Sequence, residues 1–291
     1  MATANHDAAL EKALSLLVGR ELAIDPGIGL GYLSQFIHAL ETGQLAFEGP
    51  RATEYITAAG ARIYETGDLY AMRDDRLSSI PSGSLVKIHL NDYMSVRRGL
   101  CTMGVQDLAN NLLFYRDAPN VSGAIIEVNS GGGEAMAGQI MYNAVRDFGK
   151  PVVAFVHSAG SAAYLAISGA KEIVASGPLS KLGSIGALVS LDRKFIAAYK
   201  ERFEDIYSDL SGDKNGAFRE YIETGDSTGI KLMLNDTVEA FHGMVEQFRD
   251  IKDRKVTLRG GMFGAEEAKR RGLADIIGPE SLAIKRLKKY T

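Results

Sequence analysis

The chain holds a single cysteine, Cys101, no tryptophan and only 7 prolines among 291 residues. One thiol cannot form an intrachain disulfide, which fits a reducing compartment. Cys101 reads as a small, half-buried side chain rather than a nucleophile or ligand. No apolar run approaches the roughly 20 residues needed to cross a bilayer. Met1–Asp7 is polar, without the basic stretch and apolar core of a secretory signal. A soluble, cytoplasmic protein without a membrane anchor is therefore expected. Neither sign of charge dominates: 33 basic and 36 acidic residues leave a net charge of -3, so nothing electrostatic calls for nucleic acid. There is no GxxxxGK[ST] phosphate loop, and the glycines at 131–133 do not begin a GxGxxG fingerprint, because position 136 is Met. The five histidines (His6, His38, His89, His157, His242) are scattered, with no HExxH or CxxC. No metal and no other cofactor is expected.

What is present is an ordinary globular balance, 46% hydrophobic and 24% charged, in a chain long enough for one large domain with an appendage. Leu10, Leu14 and Leu17, then Tyr32, Phe36, Ile37 and Leu40, recur at helical spacing around a break at Pro26 and three glycines. Residues 49–80 are mixed and charged, with Asp68, Arg73, Asp74, Asp75 and Arg76 suggesting exposed surface. Pro81-Ser82-Gly83 is a turn signal and the expected boundary between an N-terminal, mostly helical assembly segment (1–80) and the main domain (81–291).

From residue 85 the pattern alternates. Leu85–Leu90 reads as a strand, Val105–Tyr115 as a helix, and Ala124–Val128 as a short apolar strand ending in a glycine turn. Glu134–Phe148 reads as a helix, Pro151–Val156 as a strand, a small-residue helix follows from Ser161, and Glu172–Ala175 is another strand. Such alternation argues for βαβ units and a mainly parallel sheet. Val238, Phe241, Val245 and Phe248 mark a later amphipathic helix, and the basic tail Lys285–Lys289 reads as a solvated helix end.

Two turns carry the chemistry. Asn129-Ser130-Gly131-Gly132-Gly133 follows a buried strand, and glycines there let backbone N–H groups turn toward a ligand. His157-Ser158-Ala159-Gly160-Ser161-Ala162 also follows a strand and opens a helix. Glycine turns after strands are common, and a serine before Ala-Ala is often only an N-cap. In a parallel sheet, however, both turns fall at the carboxyl ends of strands. Together they can build an oxyanion hole from the N–H of Gly132 or Gly133 and that of Ala162, beside the Ser161 hydroxyl. A serine nucleophile needs a base, and His157, four residues away, is one candidate.

Residues from about 85 to 280 resemble the serine peptidase family of signal peptide peptidase A and the phage head maturation proteases. AIIEVNSGGG (Ala124–Gly133) is similar to the family's strand and D-S-P-G-G turn, with Asn129 and Gly131 in place of its Asp and Pro. KPVVAFV (Lys150–Val156) is similar to its K-P-V-V strand. SAAYLAISGAKEIVA (Ser161–Ala175) resembles its nucleophile helix without a gap. LGSIG (Leu182–Gly186) resembles its T-G-S-I-G turn, and FGAEEAKRRGLADII (Phe263–Ile277) its closing segment. The resemblance implies a Clp/crotonase-like spiral of βαβ units and a serine endopeptidase with Ser161 as nucleophile. It places the general base, a lysine some fifty residues on, at Lys214, one position short of the family's S-G-x-x-K spacing. It also implies a homo-oligomer whose assembly brings serine and lysine together, with Lys214 turned away from Asp209 and Asp213 into a packed site. Absence of an anchor favours a phage or prophage head protease, acting on scaffold, capsid or portal proteins within the prohead, over a signal-peptide-peptidase-like role. The small residues Ala159, Gly160, Ala162, Ala163, Gly186 and Ala187 suggest narrow pockets. Extended substrate is expected to add as a strand near Ser130, Gly131 and Gly132 and near Ser184, Ile185, Gly186 and Ala187. Two other classes stay open: a crotonase-like acyl-CoA enzyme, with Glu134 as its acidic group, and a non-catalytic assembly protein.

Overall fold

The apolar runs after Gly83 form the middle of a mixed, mainly parallel sheet flanked by helices in the computed structural model of the chain. The structure describes residues 53–65, 77, 80–97 and 104–291, with the backbone of 22–24. The strands are β1 (Leu22–Ile24), β2 (Thr53–Ile56), β3 (Arg62–Glu65), β4 (Ser84–Met94), β5 (Val121–Glu134), β6 (Val152–Gly160), β7 (Glu172–Ala175), β8 (Lys181–Gly183), β9 (Met262–Gly264) and β10 (Ile276–Ile277). Their order is β10-β7-β6-β5-β4-β2-β3. From β10 to β4 every pairing is parallel, while the β2–β3 hairpin adds antiparallel to β4.

Strands β4, β5 and β6 are apolar at successive positions because both faces of the sheet are covered. Val86, Ile88 and Leu90, Ala124, Ile126 and Val128, and Ala154 and Val156 enter the larger core. That core lies under α1 (Val105–Phe114), α2 (Ala135–Asp147) and α3 (Ala162–Ser168). The alternate residues Leu85, Ile125, Val153 and Phe155 face the other way, with Val174, onto Ala283 and Leu287 of α9 (Glu280–Leu287). Between these layers the chain adds α4 (Arg193–Arg202), α5 (Gly216–Thr224), α6 (Thr228–Glu246), α7 (Arg254–Thr257) and α8 (Ala265–Arg270).

Several expectations needed adjustment. The strand expected at 85–90 runs on to Met94, and the glycines at 131–133 lie inside β5 rather than in a turn after it. The reason is a close parallel approach. Tyr93 and Met94 pair with Gly132 and Gly133, and a Cβ on Gly133 would sit 2.1 Å from the Met94 carbonyl oxygen. Glycine there permits strand pairing. The β2–β3 hairpin, from the N-terminal side of residue 81, joins the same sheet as the main domain. The two helical stretches expected within 8–48, the charged residues 68–76 and Cys101 lie outside the described residues, apart from β1.

Charge fastens α9 to its face. The buried Lys87 ammonium (4% exposed) lies 2.7 Å from both Glu127 and Glu280 and 3.5 Å from Glu54. Burial alone would lower its pKa; the hydrogen bonds to Glu127 and Glu280 outweigh that and raise it. Glu172 of β7 receives Arg286 Nε at 2.6 Å and the Tyr290 hydroxyl at 2.5 Å. The Arg286 guanidinium is the main cause that holds the Glu172 carboxyl below its usual range, against burial.

Three outcomes are expected. Glu172→Gln should cost about 1.5–3 kcal/mol at pH 7, the worth of hydrogen bonds to a charged group. Because the folded-state pKa is depressed, the stabilisation is complete above the unfolded carboxylate pKa and is lost as pH falls through the folded one. The gap from wild type should therefore close in acid, read by urea unfolding across pH. Gly133→Ala should cost about 3 kcal/mol through overpacking against Met94. Gly243→Ala, in the last turn of α6 with open space around it, should stabilise by at most about 0.5–1 kcal/mol in the same assay.

Candidate functional site

The site grows from the place where two parallel strands part. After a register shift, Asn129 of β5 pairs with Ser158 of β6, and Ser130 with Ala159. On its other edge β6 pairs with β8 from Ser158 to Gly160, Gly160 opposite Gly183, and the chain turns at Ser161.

Ser161 has φ 54 and ψ -121, a strained backbone for a residue with a Cβ. Its N–H donates to the Gly183 carbonyl at 2.8 Å, and its carbonyl accepts from the Leu165 N–H at 3.0 Å. The residue is 1% exposed. As the N-cap of α3 it makes no side-chain capping bond; the hydroxyl donates instead to the Gly186 carbonyl at 3.3 Å. The ordinary role of an N-cap serine is thus not the one observed. A strained strand-to-helix turn that frees a serine hydroxyl from capping is the geometry of a nucleophile elbow.

Small residues let this turn sit where it does. A Cβ on Gly138 of α2 would lie 2.8 Å from the Ala162 carbonyl oxygen, so α2 and the start of α3 meet backbone to backbone. Gly183 (φ 131) would bring a Cβ to 2.4 Å from the Gly261 carbonyl oxygen. Ser184 (φ 52) donates its N–H to that same oxygen at 2.7 Å. Ile185 is fully buried beside it, and Gly186 is half-buried. Gly183 lay within the Leu182–Gly186 motif, but the sequence reading did not single out Gly138 or Gly261; the Gly260-Gly261 pair ahead of β9 was the available signal for the latter.

On the β5 side, Gly131, Gly132 and Gly133 are all buried. Gly132 (φ 101) donates its N–H to the Ser130 hydroxyl oxygen at 3.1 Å, and Ser130 in turn donates to the Asp92 carbonyl. Of the expected oxyanion donors, Gly132 is therefore already engaged here. Ser130, expected at the substrate edge, is 2% exposed. The edge of β5 at Gly132, Gly133 and Glu134 carries β1.

Neither candidate base is hydrogen-bonded to Ser161. His157 Nε2 lies 2.9 Å from Glu127 Oε1, and its ring meets Phe155 edge-on at 5.1 Å, on the face covered by α9. Glu127 also meets His89 Nδ1 at 3.0 Å and Lys87 at 2.7 Å. The bond from His89 first, with those from Lys87 and His157, holds its carboxyl far below the usual range against burial. Lys214 sits on an exposed turn before α5, its N–H donating to the Ser211 carbonyl at 3.1 Å. The surrounding segment folds largely on itself: Lys200 Nζ reaches the Ile222 carbonyl at 3.0 Å and Arg219 the Gly212 carbonyl at 2.7 Å. It leaves Phe203, Ile206 (90%) and Leu210 (97%) exposed. The Glu134 carboxylate accepts from the Val96 N–H at 3.2 Å and does not cap α2. Among the described residues there is no cluster of three or more His, Cys, Asp or Glu suited to a metal ion. No helix among them is long and apolar enough to cross a membrane.

No family model matches the chain. It is 27% identical over 176 residues to a protein named "Putative protease MJ0651" from Methanocaldococcus jannaschii, a match covering 58% of this chain and 56% of that protein. The chain thus spans about half the length of the curated relative it matches. Among solved structures, a ClpP1 mutant from Listeria monocytogenes aligns with a TM-score of 0.40 at 14% identity, over 73% of this chain and 99% of that one. A mutant of the membrane-bound stomatin-specific protease 1510-N aligns with a TM-score of 0.40 at 12% identity, over 71% and 84%. At that score neither superposition bears weight in the argument. The sequence match makes the chain a distant relative of a protein named as a protease.

Proposed function

We propose that the chain is a serine endopeptidase with Ser161 as nucleophile, Lys214 as general base and the N–H groups of Gly133 and Ala162 as the oxyanion site. The observation that carries this reading is Ser161 itself: a buried serine in strained backbone whose hydroxyl neglects the helix it could cap.

In the proposed reaction Ser161 Oγ attacks the peptide carbonyl carbon while its proton passes to the lysine amine. The tetrahedral oxyanion is held by backbone N–H groups. Collapse breaks the C–N bond, the leaving amine takes the proton from the lysine, and an acyl-enzyme remains. Water then attacks, giving up its proton to the lysine, and the acid is released as Ser161 is reprotonated.

An ordinary lysine, pKa about 10.4, is almost wholly protonated at pH 7, so the base must be desolvated before it can act. Lys214 is exposed in the single chain. In this reading, homo-oligomer assembly through the segment bearing Phe203, Ile206 and Leu210 buries it against Ser161. The motif resemblance of residues 85–280 further supports a Clp/crotonase-like spiral and a place among phage or prophage head maturation proteases, with scaffold, capsid or portal proteins as substrates.

Wild type, Ser161→Ala and Lys214→Ala, each incubated with casein while peptide release is followed, test the proposal. Wild type should cleave, and both variants should lose at least about 10³-fold in rate while keeping their circular dichroism. Loss in Ser161→Ala alone would move the base elsewhere, with His157 next. An inert wild type, on casein and on candidate capsid and scaffold proteins alike, would turn the reading toward an assembly role.

A further inference from the structure

Gly132 and Gly133, near the end of β5, pair on both edges. On one edge run Tyr93 and Met94 of β4, parallel, opposite Gly132 and Gly133. The other edge belongs to β6 as far as the Ser130–Ala159 pair. β6 itself ends one residue later, at Gly160, with β8 on its far edge, and the chain turns at Ser161. The vacated edge is taken by β1, antiparallel, with Leu22 opposite Glu134, Ala23 opposite Gly133 and Ile24 opposite Gly132. A strand from the distant N-terminal part of the chain therefore lies along the glycines of β5 that run past the end of β6.

An extended peptide entering the site would use the same edge, since it binds by adding a strand through main-chain hydrogen bonds. One strand edge accepts one partner. Resting on the proposed function, we infer that the segment around Leu22–Ile24 occupies the peptide-binding edge of the Ser161 site and keeps substrate out until it is displaced. Being tethered, it competes at an effective concentration in the millimolar range, which a free polypeptide at micromolar concentration does not match. The sequence suits an occupant that is removable. Among the described residues three pair with β5, and Pro26, two residues past Ile24, has no N–H with which to extend the ladder.

The test uses the full chain and the double variant Ala23→Pro/Ile24→Pro. Successive residues of a strand turn their N–H groups to opposite edges, so one of the two prolines must remove a donor facing β5. Two readouts are taken: hydrogen exchange of the amides at 132–134, and the rate at which a fluorophosphonate probe labels Ser161. The expected result is slow exchange in wild type, fast exchange in the variant, and labelling about tenfold faster in the variant. A synthetic peptide of residues 19–27 should slow labelling of the variant again. Equally fast exchange in both proteins would overturn the seated strand. Unequal exchange with equal labelling would overturn its role as a barrier. If exchange differs but neither protein is labelled, the occupied edge stands and Ser161 as nucleophile is what fails.

Discussion

The arrangement at the site depends on the backbone of Ser161 being held at a positive φ. Such a conformation costs about 1–3 kcal/mol for a residue with a Cβ and persists only where surrounding contacts over-determine it. Here they do. The Ser161 N–H is tied to Gly183, its carbonyl begins α3, and Ala162 is pressed against Gly138. Gly183 and Ser184 are themselves held at positive φ against the Gly261 carbonyl. Loss of any of these close approaches would let the turn relax and send the hydroxyl back to the cap it now neglects.

The sheet supplies the rigidity behind that turn. Buried on both faces, β4, β5 and β6 cannot shift register without moving whole sets of side chains between two cores. The point where β5 and β6 part is therefore fixed by packing far from the site. The charged face works differently. Lys87, Glu54, Glu127 and Glu280 bring four charges out of water together, with His89, His157 and Arg62 around them. Such a network contributes through its completeness, because removing one member strands the others. It engages His157 on the α9 face, and among the described residues no histidine is hydrogen-bonded to Ser161.

These two faces explain why the proposed base is distant. The residues that position Ser161 are small and buried. The segment carrying Lys214 is polar, holds itself by local hydrogen bonds, and presents isolated large apolar side chains to solvent. One region is packed inside the chain, while the other is a polar segment with exposed apolar side chains.

Alternation of apolar runs with helical spacing was enough to read the parallel strands and helices from Leu85 to Ala175, since period and burial are local properties of the sequence. Ser161 was legible for the same reason: a serine after a strand and before small residues marks a strand-to-helix turn. What the sequence could not decide were the contacts between segments far apart in the chain. The glycines at 131–133 read as a turn because their pairing partners, Tyr93 and Met94, lie some forty residues earlier. Gly261 gained its meaning only by meeting Gly183 and Ser184. Between the helical spacings read at 10–17 and 32–40, Leu22–Ile24 forms a strand. A three-residue strand has too little period to be seen, and only the open edge of β5 gives it a partner. Local spacing thus determined the elements and the nucleophile candidate, whereas tertiary packing decided which backbone edges meet, because an edge's partner is not written next to it.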